Sequence, residues 1–429
     1  MEQKIFTLSE VADILDVSKE TLRRWDSNGT LISHRNTTNN YRYYFQYQIE
    51  KFEQAQSFFR KSGNQNVFPE REFSVLELFA GAGGMALGLE KAGLKSALLN
   101  EIDKHACSTL RYNRPEWNVI EQDVTKVDFS SYYGKIDVLA GGFPCQAFSY
   151  AGKKLGFEDT RGTLFFEFAR AVKETNPKVL FAENVRGLLN HDDGRTLKTI
   201  CNIIDELGYE LIEPKVLKAI FYKVPQKRER LILIAIRKDI SNQVNFSWPQ
   251  SHEKIYTMKD ALKKGLLYDC DVPNSEGQSY PKRKKEILEL VPPGGYWRDL
   301  PEKLQKEYML KSFYLGGGKT GMARRLAWDE PSLTLTCSPA QKQTERCHPD
   351  ETRPLSVREY ARIQTFPDDW CFTGPISAKY KQIGNAVPVN LAYEIGQSIV
   401  DVLNQLVREK NKFNKNKTPA DNLIELSQP

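Results

Sequence analysis

The chain has 429 residues and a formal net charge of +6 at pH 7, with 40% hydrophobic and 27% charged residues. This length accommodates two or three domains, each with its own hydrophobic core. No stretch approaches the about 20 apolar residues of a membrane span, and the start lacks an apolar signal core. We therefore expect a cytoplasmic protein that does not bind a membrane. The modest positive charge permits a polyanionic partner without requiring one.

Seven cysteines are scattered along the chain, and none forms a Cys-x-x-Cys pair. An odd number without that spacing predicts neither a disulfide framework nor a zinc site. Cys347 and His348 are adjacent and cannot easily share one tetrahedral ion. We therefore predict that the protein has no metal site.

Residues 1–65 are predicted to form a small helical N-terminal domain. Thr7 and Glu10 have the spacing of a capping box, which begins a short helix. Ser18 can cap a second helix that ends near Gly29. Two short helices at this spacing predict a helix-turn-helix, and the segment resembles the MerR family of regulators.

The second of these helices carries two arginines, and a basic, aromatic run follows it at residues 40–44. We expect Arg23, Arg24 and Arg42 to contact DNA. A protein-interaction domain is the alternative, because short helix-turn-helix patterns have false positives. A DNA-binding domain here would either add contacts to the substrate or repress its own promoter.

The pattern alternates between strand and helix from residue 73 to residue 237, which predicts a largely parallel sheet. The predicted strands are 74–79, 97–101, 119–121, 136–140, 179–182 and 231–236. The predicted helices between them include 163–175 and 195–207. We assign this α/β region to a catalytic domain with the bounds 72–237.

The alternation stops after the last of these strands. Residues 238–352 are rich in Pro, Gly, Lys and Tyr and are predicted to be an irregular inserted domain. Order returns in a closing segment at 353–407, which includes a helix over 390–406. The basic residues 408–429 are predicted to be a disordered tail.

A glycine-rich turn, Phe79-Ala-Gly-Ala-Gly-Gly84, follows the first predicted strand and opens a helix. Glycines let a ligand approach the backbone, although the spacing is not that of a dinucleotide-binding loop. Glu101 and Asp123 end the next two strands, where carboxylates can accept hydrogen bonds from a ribose and an adenine amino group. Together these features predict a nucleoside-containing cofactor without a pyrophosphate, a description that fits S-adenosylmethionine.

Cys145 lies in a polar loop, Gly142-Phe-Pro-Cys-Gln-Ala-Phe-Ser149, after the fourth predicted strand. A free cysteine is more often a small core residue, but this loop favours a nucleophile. Glu183 ends the next strand, and a thiolate beside a carboxyl group can activate a pyrimidine ring. The thiolate adds to carbon 6, Glu183 holds nitrogen 3, and carbon 5 takes a methyl group before its proton is lost.

The segment Gln226-Lys-Arg-Glu-Arg230 supplies two arginines that can hold the base. A solvated charge run is the simpler interpretation of this segment taken alone. The order of these motifs resembles that in DNA (cytosine-5)-methyltransferases of the bacterial restriction–modification type. The resemblance covers residues 73 to 407 and rests on 79–84, 100–103, 142–149, 183–185, 226–230, 353–367 and 384–388.

This resemblance implies a Rossmann-like methyltransferase sheet, with a target-recognition domain inside residues 238–352. It implies transfer of a methyl group from S-adenosylmethionine to carbon 5 of cytosine in double-stranded DNA. It also implies that the modified DNA is protected from a cognate restriction endonuclease. We expect the protein to be a monomer.

The resemblance assigns roles to individual residues. Cys145 is the nucleophile, Glu183 is the partner acid, and Arg228 and Arg230 secure a cytosine extruded from the duplex. The implied cofactor-binding residues are Phe79, Gly81, Gly83, Glu101, Ile102, Asp123, Val124, Pro144, Asn385 and Val387. The expected DNA contacts outside the N-terminal domain are Gln146, Ser149, Gln343 and Arg346.

Two residues depart from the family pattern. Ile102 stands where an aromatic residue often stacks on adenine, and Glu77 stands where Asp is frequent. Residues 324–367 resemble enzymes of GGCC-like sites, which suggests a GC-rich palindrome of the GGCC or GGNCC type. Two alternative functions stay open, namely an RNA cytosine-5 methyltransferase and a DNA-binding regulator that no longer catalyses.

Overall fold

The computed structural model describes four parts of the chain, residues 4–38, 40–59, 66–144 and 163–416. Cys145 and the expected DNA contacts Gln146 and Ser149 lie outside the described residues. Within the described ranges, no helix combines the length and the apolar character that a membrane crossing requires.

The helices and strands follow the predicted order along the chain. The strands are β1 (Ile5–Thr7), β2 (His34–Arg35), β3 (Arg42–Phe45), β4 (Phe73–Leu78), β5 (Leu94–Glu101), β6 (Val119–Glu121), β7 (Val138–Gly141), β8 (Val179–Val185), β9 (Tyr209–Leu211), β10 (Lys215–Lys218), β11 (Gln226–Lys227), β12 (Glu229–Arg237) and β13 (Ser332–Leu333). The helices are α1 (Leu8–Leu15), α2 (Lys19–Asn28), α3 (Gln46–Ile49), α4 (Glu53–Phe59), α5 (Gly84–Lys91), α6 (Lys104–Asn113), α7 (Leu164–Thr175), α8 (Arg195–Glu206), α9 (Lys238–Ser241), α10 (Met258–Leu262), α11 (Lys282–Leu288), α12 (Glu302–Met309), α13 (Val357–Ile363), α14 (Ile376–Asn385) and α15 (Val389–Asn416).

The N-terminal unit contains the two predicted helices and a small sheet in the order β1-β3-β2. The capping box is confirmed, because the Glu10 carboxylate accepts the Thr7 amide at 2.7 Å and Thr7 Oγ1 accepts the Glu10 amide at 3.3 Å. Ser18 caps α2, and Gly29 ends it with a φ of 79°. Local capping residues therefore fix the bounds of both helices.

The large sheet has eight strands, with the order β10-β12-β8-β7-β4-β5-β6 and with β9 also paired to β12. Strands β4 to β8 pair in parallel, whereas β12 is antiparallel to β8, β9 and β10. The largely parallel sheet is confirmed, and all six predicted strands are present. The carboxyl ends of the parallel strands β4 to β8 share one edge, where open α/β sheets bind ligands.

Helices cover both faces of this sheet, because alternate residues of a strand point to opposite sides. Ile232 packs in one core with side chains of α5 and α15, such as Leu89 and Ile395. Leu231, its neighbour, packs in a second core with side chains of α7 and α8, such as Phe168. The strand is therefore buried on both faces, as expected for the middle of a sheet.

Helices α5 and α15 pack unusually close together at Gly88. A Cβ atom at this position would lie 2.5 Å from the carbonyl oxygen of Val389 and 2.5 Å from the Cβ of Ala392. At Gly84, a Cβ would lie 2.3 Å from the carbonyl oxygen of Val387. Only glycine fits these positions, and the contact brings the closing segment onto the start of α5.

The inserted region contains short helices and little strand, and β13 pairs in parallel with β11 of the catalytic region. Buried side chains form hydrogen bonds with the polar groups of its irregular backbone. Arg325 donates hydrogen bonds to the carbonyl oxygens of Val291 at 2.7 Å and Leu288 at 2.8 Å. Such contacts replace the regular hydrogen-bond ladder that this part of the chain lacks.

The prediction of a disordered tail from residue 408 is wrong for residues 408–416, because α15 continues to Asn416. An ion pair of Arg408 with Glu70 at 2.5 Å anchors this part of the helix, and Lys412 pairs with Glu409 one turn away. Residues 408–416 contain no Gly or Pro, so the helix can continue beyond the part of α15 that packs in the core. Residues 417–429 lie outside the described residues.

We predict that Gly88→Ala destabilises the protein, although alanine is normally the better helix former. The added methyl group has no space between α5 and α15, and overpacking of this kind costs roughly 1–3 kcal/mol. Gly265→Ala is the control, since a Cβ there meets no atom closer than 4.0 Å. Thermal unfolding should show a lower Tm for the first variant only. Equal Tm values would contradict the close packing.

Candidate active site

The glycine-rich turn between β4 and α5 is held in a compact, left-handed conformation. The backbone φ angles are 58° at Phe79, 54° at Gly81 and 86° at Gly83. The amide of Ala80 donates to the carbonyl oxygen of Asn100 at 3.1 Å, which ties the turn to β5. A positive φ is uncommon for phenylalanine, and such backbone strain often occurs at functional sites.

Glu101, at the end of β5, organises this turn with its carboxylate. One oxygen, Oε2, accepts the amide of Gly81 at 2.8 Å. The other, Oε1, accepts the amides of Ile102 at 2.8 Å and Asp103 at 2.7 Å. The carboxylate therefore holds the ends of two adjacent strands in one arrangement.

A cavity of about 320 Å³ opens at this edge of the sheet. Its size is within the usual range for small-molecule sites. It brings together residues from the start and the end of the catalytic region. The predicted residues in its lining are Gly81, Glu101, Ile102, Glu183, Asn385 and Val387.

Ile102 is 66% exposed at this cavity, so an apolar side chain is available for a ligand although it is not aromatic. At Gly81, a Cβ atom would meet nothing within 4 Å. The turn therefore leaves open space next to an acidic acceptor, Glu101. This combination suits a polar ligand with hydroxyl groups, which can donate to the carboxylate.

The other five predicted cofactor residues do not line the cavity: Phe79, Gly83, Asp123, Val124 and Pro144. A Cβ at Gly83 would lie 2.7 Å from Leu110 and 3.0 Å from Trp370, so this glycine is required for packing. Val124 is buried in the second core. Pro144 is exposed, and it is the last residue before the undescribed loop. Their contact with a cofactor stays a prediction.

Asp123 uses its side chain locally in this conformation. Its Oδ1 atom accepts the amide of Thr125 at 3.0 Å and the hydroxyl of Thr125 at 2.9 Å. These two hydrogen bonds lower the pKa of Asp123. The residue is half-buried beside the end of β6, and a hydrogen bond to an adenine amino group stays a prediction.

An ion pair that the sequence did not predict lies at the entrance of the cavity. Lys381 Nζ lies 3.0 Å from Oδ2 of Asp103, and both residues line the cavity. Asp103 caps α6 by accepting the amide of His105 at 2.9 Å. An aspartate between a strand and a helix is a recognisable N-cap, so the sequence could have predicted the position of Asp103. No local pattern predicts that Lys381, on α14, contacts it.

Glu183 and Arg230 form a close ion pair at the edge of the sheet. The Nε atom of Arg230 lies 2.5 Å from Oε1 of Glu183, and both side chains are 12% exposed. Strand β12 runs antiparallel to β8, so its start lies beside the end of β8. A Cβ atom at Gly142 would lie 2.9 Å from Oε2 of Glu183, and this glycine therefore leaves space for the carboxylate.

Arg228 lies outside the lining of the cavity that Glu183 lines, and its contact with a cytosine stays a prediction. Its side chain is only 2% exposed and donates to the carbonyl oxygens of Leu335 at 3.3 Å and Asn385 at 3.5 Å. Burial and the charge of Arg230 lower the pKa of Arg228. The residue therefore joins the inserted region to the closing segment, and Arg230 alone contacts the predicted acid.

Glu77 lies beneath the cavity as a buried carboxyl group. It is 2% exposed, and its Oε2 atom has no hydrogen-bond partner. Burial, and then the charge of Glu101, raise the pKa of Glu77 well above its usual value. The raised pKa reflects the cost of a second buried negative charge close to Glu101.

The geometry agrees with comparisons to known proteins. A family model for C-5 cytosine-specific DNA methylases matches residues 73–401, which is most of the chain. The chain belongs to this family. A second model, for MerR family regulatory proteins, matches residues 7–44. These matches confirm both resemblances seen in the sequence and favour neither an RNA methyltransferase nor an inactive regulator.

Curated relatives of this DNA methylase align over nearly its whole length. It is 74% identical to the type II methyltransferase M.Eco47II of Escherichia coli, over 95% of this chain and 98% of that protein. It is 61% identical to M.PspPI of Psychrobacter sp., over 93% and 96% of the two chains. With M.Sau96I of Staphylococcus aureus it shares 53% identity, over 79% and 78%.

The fold of the DNA methylase also has solved counterparts. A DNA modification methyltransferase encoded within an E. coli prophage superposes with a TM-score of 0.60 at 23% identity. That superposition covers 78% of this chain and all of the other. It confirms the α/β methyltransferase fold predicted from the sequence.

The predicted DNA contacts that the structure describes differ in their exposure to solvent. Arg346 is 4% exposed and donates to the carbonyl oxygens of Glu345 and Thr334, so its prediction as a DNA contact is wrong for this conformation. Arg42 is half-buried, with Nε 2.9 Å from Oδ2 of Asp26. The exposed candidates are Arg23, Arg24 and Gln343.

We predict that Gly142→Ala lowers the rate of methyl transfer by about 100-fold, because displacing a catalytic group by about 1 Å can have this effect. The new methyl group would meet the Glu183 carboxylate. Gly187→Ala at the same edge is the control, since its Cβ would meet only one atom, at 4.0 Å. Transfer of radiolabelled methyl groups to DNA measures the effect. Similar rates in both variants would contradict the assignment of Glu183.

Proposed function

We propose that this DNA methylase holds an extruded cytosine at Glu183 and Arg230, beside S-adenosylmethionine bound in the cavity. The lining of the cavity supports this proposal. Glu183, which is paired with Arg230, lines the same cavity as Gly81 of the glycine-rich turn and Glu101 at the end of β5. A base at Glu183 would therefore lie next to a ligand that occupies the glycine-rich turn.

The residues of the cavity fit a nucleoside cofactor. The carboxylate of Glu101 can accept from ribose hydroxyl groups, and Gly81 leaves the backbone open to close approach. Ile102 and Val387 provide apolar surface for an adenine ring. S-adenosylmethionine, when bound there, supplies an electrophilic methyl group. The protein's own residues then position and activate the cytosine.

The proposed chemistry begins with addition of the Cys145 thiolate to carbon 6 of the cytosine. Glu183 holds nitrogen 3 while negative charge develops on the ring, and the Arg230 guanidinium stabilises that charge. Carbon 5 then forms a bond to the methyl group. Loss of the carbon 5 proton to a base re-forms the double bond and expels the thiolate. The bond between the methyl group and the sulfonium sulfur would break as the new bond forms, and its electron pair would stay on sulfur. The products are then 5-methylcytosine, S-adenosylhomocysteine and one proton, and Cys145 returns as the thiolate.

The substrate is double-stranded DNA, from which the cytosine must be unstacked at a cost of a few kcal/mol. The relatives with 74% and 61% identity are type II methyltransferases. By analogy, we place this protein in a restriction–modification pair, in which methylation protects DNA from a cognate endonuclease. We also propose that it acts as a monomer, in the cytoplasm, on GGCC or GGNCC sites.

Bisulfite sequencing of DNA from cells that express the protein tests the function. We expect protected cytosines at one GC-rich palindrome on both strands, because a palindrome presents the same site twice. The purified protein should transfer labelled methyl groups from S-adenosylmethionine to the same DNA. A Glu183→Gln variant is the control. Methylated RNA with unmodified DNA, or methylation on adenine, would overturn the proposal.

A second prediction tests the nucleophile. DNA with 5-fluorocytosine at the target lacks the proton that must leave carbon 5, so the covalent adduct should persist. We expect the wild-type protein to form a complex with this DNA that survives denaturing electrophoresis. Cys145→Ser should form none, while still binding the cofactor. Cys371→Ser, which changes a distant thiol, should behave like wild type. An adduct with Cys145→Ser would contradict the assignment.

A further inference from the structure

Among the described residues, four ion pairs and an aromatic contact join the N-terminal domain to the rest of the protein. The rings of Phe58 and Phe221 lie 5.2 Å apart. Each pair links residues from distant parts of the sequence. The four pairs are Asp13–Lys227 at 2.9 Å, Asp16–Lys218 at 2.8 Å, Lys19–Glu330 at 2.6 Å and Lys4–Glu253 at 2.7 Å.

These contacts dock the domain, in that they hold it in one position against the body of the protein. The pairs formed by Asp13 and Glu330 select this position more strongly than the other two. Burial raises the pKa of Asp13 despite the nearby charge of Lys227. Burial acts to raise the pKa of Glu330, but the hydrogen bond from Lys19 and the nearby positive charges together more than offset it, and the pKa lies below its usual value. A half-buried carboxylate that loses its partner is unfavourable, so these pairs select one orientation. The exposed Lys4–Glu253 pair contributes little.

The docked domain contacts the same edge of the sheet as the active site. Val185, two residues after Glu183, is in register with Arg230, and Glu229 is in register with Lys218 at the end of β10. The domain then binds Lys218 through Asp16. Since neighbouring strands lie about 4.8 Å apart, Lys218 lies roughly 10 Å from the strand of Glu183.

The domain pairs with the body of the protein through side chains of both signs, whereas the arginines of α2 are exposed. Asp13 and Asp16 pair with lysines of the body, and Lys4 and Lys19 pair with its glutamates. Arg23 and Arg24 are exposed. Arg23 contacts Glu20 at 3.0 Å, an exposed pair that a phosphate group could replace. The docked domain therefore presents arginines to the solvent while its carboxylates are paired.

The distances match the dimensions of DNA. A domain of about 60 residues has a radius of gyration of about 10 Å, so its outer face lies within about 30 Å of Glu183. One turn of B-DNA is about 34 Å long. A duplex with its cytosine at Glu183 therefore extends past the domain within about one turn.

We propose that the docked N-terminal domain binds the substrate duplex on one side of the target cytosine, through Arg23 and Arg24. This inference rests on the proposed DNA substrate and adds a second contact region to it. The helix-turn-helix is then part of the methylating enzyme. The duplex flank supplies phosphate groups, which arginine side chains bind without reading the sequence.

The test uses duplexes that are already methylated on one strand, which fixes the cytosine that enters the active site. One duplex spans about one helical turn around the site, and two others extend it by about two turns on one side or the other. We expect the wild type to bind one of the extended duplexes about 10-fold more tightly than the short one. Fluorescence anisotropy at several salt concentrations measures the Kd values.

The variant Arg23→Gln/Arg24→Gln should lose this one-sided gain, and its salt slope on that duplex should fall by about two. Lys95→Gln/Lys135→Gln, which removes two charges from the opposite edge of the sheet, should keep the gain. Lys19→Glu should lose it by breaking the docking pair, and Glu330→Lys in the same chain should restore it.

The outcomes separate this inference from the proposed function. Equal affinity of the wild type for all three duplexes, with normal methylation, would overturn the inference and leave the proposed function intact. A gain that survives Arg23→Gln/Arg24→Gln would also overturn it. A gain that survives Lys19→Glu would show that the domain binds DNA without this docking pair, and a loss that Glu330→Lys fails to restore would show that Lys19 does not act through Glu330. Either result would overturn the docked arrangement. Absence of methylation on every duplex would instead contradict the proposed function.

Discussion

The structure depends on the close packing of α5 against the closing segment and α15. Gly84 and Gly88 let the backbone of residues 387 to 389 approach α5, and Gly396 lets α15 approach Ala92, whose Cβ would lie 2.7 Å from an added Cβ. Because this contact joins the first helix of the catalytic region to the last, it carries Asn385 and Val387 into the cavity. Side chains of ordinary size would separate the helices and open the cavity at this end.

The same edge of the sheet carries three carboxyl groups, and each is accommodated in a different way. Burial raises the pKa of Glu77 well above its usual value. Glu101 distributes its charge over three backbone amides. Glu183 is paired with Arg230. The three groups can therefore lie at one edge of the sheet without strong mutual repulsion, and Glu183 is the one that we propose contacts the reacting base.

Patterns of local sequence predicted the strands, the capped helices and the positions of Glu101 and Glu183, because these depend on neighbours within a few residues. The arginines show where such patterns fail. Arg228 and Arg230 are two residues apart, and strand alternation would give them one role. Arg228 lies between β11 and β12, where its amide bonds to the carbonyl of Gln226 at 2.9 Å, and its side chain turns into the interior.

Arg346 was mispredicted for the same reason, since exposure depends on tertiary packing that the residue type does not reveal. The N-terminal domain shows this most fully. Its capping residues identify two helices, but the ion pairs that dock it join residues 202 and 311 positions apart. A net charge of +6 does not reveal this division between charges that are paired at the contact with the body and arginines that are exposed on the outer surface.

That division has a consequence for salt. The arginines on the outer face are exposed, and at physiological ionic strength charges are screened over about 8 Å. The pairs formed by Asp13 and Glu330 are half-buried and are screened less. Rising salt should therefore weaken contacts with a duplex before it loosens the domain from the sheet edge. The helix-turn-helix would then remain in place beside the active site between one DNA substrate and the next.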